Sequence, residues 1–168
     1  MRKAVVALLG LVMMAGTAVA QTSDAPASTA QERKQIEELS KKLETNPLDR
    51  SITQDTRRLF QRIIDVPDIT VTLCNDVMPW LRDDYKYGPE LSMSYTFGAA
   101  SYVIEHPAAD HGASSWAGLE SALRGYQNIV KRDPKAKSRT MEHALDQRDM
   151  GTLEPRVKEA CGPEKQRL

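Results

Sequence analysis

Three groups of residues in this chain carry side chains able to do chemistry. The first is His106, Asp110 and His111, gathered within six positions. Two imidazoles and a carboxylate can coordinate zinc or a related cation, which would suit a metal-dependent or cryptic hydrolase. Their spacing matches no metal template, and the third histidine that would complete a set, His143, is distant in sequence. The residues therefore read as a solvated turn in which Asp110 caps the next helix, and no metal site is assigned. The second group is Trp80, Asp83, Asp84, Tyr85, Lys86 and Tyr87. Rings supply rigid contact area and carboxylates supply polarity, so Trp80, Asp83, Asp84, Tyr85 and Tyr87 form the candidate binding surface for a partner. The competing reading has the rings covering the edge of the core and the charges facing water. The third group is Cys74 and Cys161, the only thiols.

Short catalytic signatures are absent from the sequence: there is no glycine-rich phosphate loop, His-Glu-x-x-His, Gly-x-Ser-x-Gly or dinucleotide fingerprint. No catalytic residue and no cofactor is expected, and the balance leans away from an enzyme.

How the cysteines behave depends on where the chain resides. Met1, Arg2 and Lys3 open it with positive charge, an apolar run from Ala4 to Ala15 follows, and Ala18-Val19-Ala20 ends the segment with small side chains. These are the parts of a cleavable secretory signal over residues 1–20, cut after Ala20. The apolar run falls short of the roughly 20 residues that a bilayer helix needs, so no membrane span is expected in the mature chain. A secreted or periplasmic location makes a disulfide between Cys74 and Cys161 the natural expectation. Across 87 sequence steps it would tie the end of the chain to its middle.

Charge narrows the partners. The full chain balances 23 basic against 23 acidic residues, and loss of Arg2 and Lys3 leaves 21 against 23, a net charge near −2. Bulk electrostatics give no attraction to nucleic acid. A protein partner in the cell envelope is the expected kind.

The elements that must position these groups read as helices. Residues 21–27 are small and polar, a flexible lead-in to one helical domain over 28–163, with a polar tail at 164–168. Ser28 and Gln31, then Ser51 and Gln54, have capping-box spacing ahead of two amphipathic stretches. Asn46-Pro47 and Pro67 end these stretches. Ile69, Val71 and Leu73 alternate like a strand, whereas Ile69, Leu73, Val77 and Leu81 fit a helix. With no partner strand elsewhere in the chain, a helix bent near Pro79 is preferred. From Pro89 to Glu105 apolar residues cover much of the circumference, predicting a central buried helix. Trp116, Leu119, Leu123, Tyr126, Ile129 and Val130 mark the clearest amphipathic helix, ended by Asp133-Pro134. Helices from about Lys135 to Met150 and from Thr152 to Cys161 complete about seven, in a compact bundle or a small helical-hairpin solenoid.

Ala122-Leu123 with Tyr126, Ile129 and Pro134 resembles the second helix of a tetratricopeptide repeat, and Leu145, Gly151 and Ala160 echo it more loosely. The first-helix pattern is missing, and the resemblance covers at most the C-terminal half. What it implies is a protein-binding scaffold. The sequence thus points to an exported all-helical module that binds rather than catalyses. A hydrolase using the 106–111 turn is the alternative of another class, and a purely structural part of an envelope complex is a third.

Overall fold

The computed structural model describes residues 26–82 and 84–162. The expected signal segment 1–20, most of the lead-in, Asp83 and the tail 164–168 lie outside the described residues.

Six α-helices, rather than seven, form the described chain: α1 Ala30–Thr45, α2 Thr53–Asp65, α3 Gly88–Glu105, α4 His111–Arg132, α5 Arg139–Asp149 and α6 Leu153–Cys161. Single 3-10 turns stand at Arg50–Ile52, Asn75–Val77, Pro79–Leu81 and Pro134–Ala136, and no strand occurs among the described residues.

The expected helix over 69–81 is the one that does not form. Leu73 and Leu81, two of its four stripe positions, are 55% and 51% exposed, so half of the stripe has no core to face. The run Thr70-Val71-Thr72 is β-branched, which costs rotamer freedom in a helix, and Pro79 lacks an N–H. Residues 69–74 instead take no regular secondary structure and are held by tertiary bonds. Ile69 is buried, the Tyr95 hydroxyl donates to the Thr72 carbonyl at 3.3 Å, and the Thr72 hydroxyl meets His111 Nδ1 at 3.0 Å. The sulfurs of Cys74 and Cys161 lie 2.12 Å apart, disulfide distance, with Cα atoms 5.9 Å apart.

Two helix starts are displaced from the expected caps. Thr29, not Ser28, caps α1: its hydroxyl accepts from the Glu32 N–H while Glu32 accepts from the Thr29 N–H, a complete capping box. Ser28 is used differently, donating from both N–H and hydroxyl to Asp68 at 2.8 and 2.6 Å. Before α2, Asp49 caps the 3-10 turn through the Ser51 N–H, and the helix itself starts at Thr53 without a side-chain cap. Further on, α5 begins at Arg139 instead of Lys135, with Ser138 as N-cap, because Pro134–Ala136 closes a separate turn capped by Asp133.

The position of α3 follows from its composition. Leu91 and Tyr95 point into a core shared with Leu119, Leu123, Tyr126, Ile129, Met141 and Val157. Phe97 and Ala100 point into a second core with Ile36, Leu39, Leu59 and Ile63. A helix between two cores must be apolar around most of its surface, which is why it shows no single stripe. It packs tightly on α4 because small residues face each other. A Cβ on Gly98 would stand 2.4 Å from Ser121 Cβ, and one on Gly118 would stand 2.7 Å from the Tyr95 carbonyl. Gly151 ends α5 at φ +71, a left-handed position that suits glycine.

Polar ties fix α1 to the rest. Arg124 of α4 makes two 2.9 Å bonds to Glu44, Asn128 donates to the Glu44 carbonyl at 2.8 Å, and Arg132 reaches Asn46. At the other end of α1, Arg62 of α2 donates to Glu32 at 2.7 Å and to the carbonyls of Pro26 and Ala27.

Candidate functional site

The turn carrying His106, Asp110 and His111 does not assemble a metal site. Asp110 Oδ1 accepts from the Ala113 N–H at 2.7 Å and caps α4. His111 is turned to Thr72, and the His106 ring lies against Tyr102 with centroids 4.5 Å apart. His143 belongs elsewhere, lining a separate cleft of about 300 Å³ with Arg82, Thr140 and Arg156. Among the described residues no group of three or more His, Cys, Asp or Glu is placed to hold a metal ion. Each residue of the turn has a local structural task.

The aromatic segment proves to be two things. Trp80 is 1% exposed, so it does not belong to a surface. Its Nε1 donates to Ser92 Oγ at 3.0 Å, and its ring meets Tyr95 edge-on at 6.2 Å. Burial of an indole with its N–H paired is a core arrangement. Asp84 is exposed at φ +47, and Asp83 lies outside the described residues. Tyr85 and Tyr87 are half-buried and clasp the connection between α4 and α5. Tyr85 donates to the Ala136 carbonyl and Tyr87 to Asp133 Oδ2, both at 2.9 Å, while Tyr85 packs edge-on against Tyr87 and Tyr126 at 5.9 Å. Tyr126 completes the cluster, donating to Glu142 at 2.6 Å and accepting from the Ser138 N–H at 3.0 Å. Burial, then the bond to Glu142, pushes the Tyr126 hydroxyl up to about 12. Burial, with Tyr126 and Tyr87 alongside, also raises Tyr85. The hydrogen bond from Tyr87 holds Asp133 below the usual carboxylate range, and Lys86, bonded to the Tyr87 oxygen at 2.9 Å, is raised. The Tyr85 and Tyr126 phenols stay protonated at neutral pH, and all three tyrosines donate hydrogen bonds that fasten a loop.

A groove that the sequence did not announce lies on the opposite side of Tyr87. It measures about 630 Å³ and runs between the end of α1, the Arg50–Ile52 turn, the first half of α2 and the start of α3. Leu43, Leu48, Ile52, Phe60 and Met93 line it. Pro47 and Asp49, from the short 46–49 connection between α1 and the Arg50–Ile52 turn, also line it. Ionic groups stand along the same walls: Asp49, Arg50, Arg57, Lys86 and Glu90. An apolar concavity of this size with a few polar groups has the character of a small-ligand site. One signal was available in the sequence. Phe60 and Met93 extend the apolar faces of α2 and α3 beyond what the core takes up, and both remain only half-buried.

Compared with protein families, curated proteins and solved structures, the chain matches none. Among the described residues of the C-terminal half no helix length recurs, since α4, α5 and α6 span 22, 11 and 9 residues.

Proposed function

We propose that the protein is an exported, non-catalytic binding module whose ligand site is the groove between α1, α2 and α3. The observation that carries this reading is the groove itself: about 630 Å³ of concave, mostly apolar space within the range of small-molecule sites. Export is supported by the leader-like residues 1–20 and by the cysteine pair at disulfide distance. The hydrolase reading of the 106–111 turn has no support in the way His106, Asp110 and His111 are used.

The test is titration of the exported chain with 1-anilinonaphthalene-8-sulfonate, an apolar anion whose fluorescence rises on leaving water. Thr53 is exposed at the lip of the groove, so Thr53→Trp places an indole over it without entering the core. Saturable binding by the parent, weakened about tenfold or more in the folded variant, is expected. Equal binding by both proteins, or no saturable binding by the parent, overturns the assignment. The N-terminal mass of the exported chain should begin at Gln21, and retention of residues 1–20 would contradict export by cleavage.

A further inference from the structure

We propose that the connection from α4 to α5 is a docking surface for an anionic lipid bilayer, through the exposed cations Lys131, Arg132, Lys135, Lys137 and Arg139. The surface stands apart from the groove and does not depend on what fills it.

Five of the nine residues from 131 to 139 are basic, and all five are exposed. Lys131 and Arg132 close α4, where cations answer the negative end of the helix dipole, and their side chains reach only neutral oxygens, that of Asn128 at 3.2 Å and that of Asn46. No such account covers the other three. Lys137 and Arg139 flank Ser138, the N-cap of α5, and so stand at the positive end of its dipole, where a cation is repelled. The side chains of Lys135, Lys137 and Arg139 make no hydrogen bond or ion pair among the described residues. Like charges crowded at a helix start work against folding, and positions where local choice opposes the fold are where function is to be sought.

The carboxylates around the loop are already matched. Asp133 is the one acid in the stretch, and both its oxygens are engaged: Oδ1 accepts from the Lys135 N–H at 3.2 Å, and Oδ2 accepts from the Tyr87 hydroxyl at 2.9 Å with Lys86 at 3.6 Å. Glu142 accepts from Tyr126, Glu44 is held by Arg124, and Asp49, which feels the charges of Arg132 and Lys42, accepts from the Ser51 N–H. The tyrosine cluster therefore has a second effect. By holding the Ala136 carbonyl, the Ser138 N–H and the Asp133 carboxylate, it fixes the loop in a shape that leaves the cations to solvent and occupies the acid.

The kind of anion follows from what the surface lacks. A nucleic acid asks for rings on which bases stack, but Tyr85, Tyr87 and Tyr126 pack against one another with their hydroxyls committed, and the chain carries no net positive charge. A protein partner asks for an apolar centre that loses its water, and Ala136, the one apolar side chain of the stretch besides Pro134, is 7% exposed. A bilayer surface asks for neither. Anionic headgroups diffuse in the plane to meet exposed cations wherever these stand, and each Lys or Arg near the surface strengthens adsorption about fivefold.

Co-sedimentation of the exported chain with vesicles of equal parts phosphatidylglycerol and phosphatidylcholine, in about 0.05 M salt, tests it. The parent should bind these vesicles, release them by about 0.5 M salt, and ignore vesicles of phosphatidylcholine alone. Lys135→Gln/Lys137→Gln/Arg139→Gln should weaken binding about a hundredfold. Lys34→Gln/Arg58→Gln/Arg156→Gln, which removes the same charge from exposed cations outside the loop, should weaken it less than about threefold. Thermal melts supply a second readout: the loop variant should be at least as stable as the parent, because it relieves repulsion at the start of α5. Failure of the parent to bind anionic vesicles, equal binding to neutral ones, or equal weakening by the two triple variants overturns the proposal. Tighter binding to polythymidylate or to polyglutamate than to the vesicles would assign the loop to another polyanion and overturn it as well. A loop variant less stable than the parent would make the cations structural and remove the premise.

Discussion

Replacing both cysteines, Cys74→Ala with Cys161→Ala, is the perturbation whose size follows most directly from the structure. The pair spans 87 positions. Cross-linking that length of chain removes loop-closure entropy from the unfolded ensemble worth about 4.5 kcal/mol at 25 °C on the chain-entropy account. The loss of two thiol-sized apolar groups, with Cys161 only 3% exposed, adds to it. The element most affected is α6. It has nine residues, too few to persist alone, and docks through Leu153, Val157 and Cys161. Urea unfolding followed by far-UV circular dichroism is the assay, run on parent, double variant and parent with reductant. For a chain of this length a urea slope of about 2 kcal/mol per molar turns the expected loss into a midpoint about 2 M lower. The reduced parent should fall short of the parent by the cross-link alone and so lie somewhat above the double variant, because it keeps both thiols. A midpoint shift below about 0.5 M would refute the reasoning, since the bridge would then constrain nothing that folding needs. Two free thiols in the mass of the exported chain would refute it more directly.

Two further outcomes are expected. Partial burial raises the Asp68 carboxyl, but the bonds from Ser28 and Arg33 outweigh this and bring it down to about 2. A depressed carboxyl stabilises the fold above its unfolded value near 3.8 and ceases to as pH falls through 2. Discounted for the solvent reaching it, Asp68→Asn should cost about 1 kcal/mol at pH 7, and parent and variant should converge in urea unfolding near pH 2. A gap that stays constant from pH 7 to pH 2 contradicts the linkage. Tyr126→Phe removes a donor from Glu142 and an acceptor from the Ser138 N–H, so a loss of about 1 to 3 kcal/mol is expected in thermal or urea unfolding. Because the folded phenol is raised above its usual 10 to about 12, its stabilising effect holds below pH 10 and fades as pH climbs through that interval. Ultraviolet titration should show one tyrosine fewer ionising late in the variant, and an unchanged profile would count against the cluster.

Helices were legible in the sequence wherever an amphipathic or all-round apolar pattern coincided with stop residues. Pro47, Pro67, Pro89, Pro107 and Pro134 each stand at or near an element boundary. Residues 69–81 were not legible because their order comes from elsewhere. Tyr95, His111 and Cys161, each far along the chain, hold the first part of the segment, and no local pattern carries that information. The displacement of the α1 cap by one residue has a similar origin, since Ser28 is drawn to Asp68 forty positions away. The candidate surface at Trp80, Tyr85 and Tyr87 was located from residue type, which identifies adhesive side chains but not what they adhere to. Here the adhesion is internal. The groove is built from residues ordinary in sequence, and its walls come from three helices that no local pattern brings together.

The bridge between Cys74 and Cys161 also divides the molecule mechanically. It closes α3, α4, α5 and α6 into one covalent ring and leaves α1 and α2 on an open arm. Tension applied at Pro26 and Gly162 would pass through the sulfurs, so the ring could not be drawn out. Only the arm could lengthen, to about 170 Å at full extension against about 480 Å for the unbridged chain. The groove lies along the seam between arm and ring, with α1 and α2 as one wall and α3 as the other. Unravelling the arm would part those walls, and an occupant in contact with both would act as the rivet that resists.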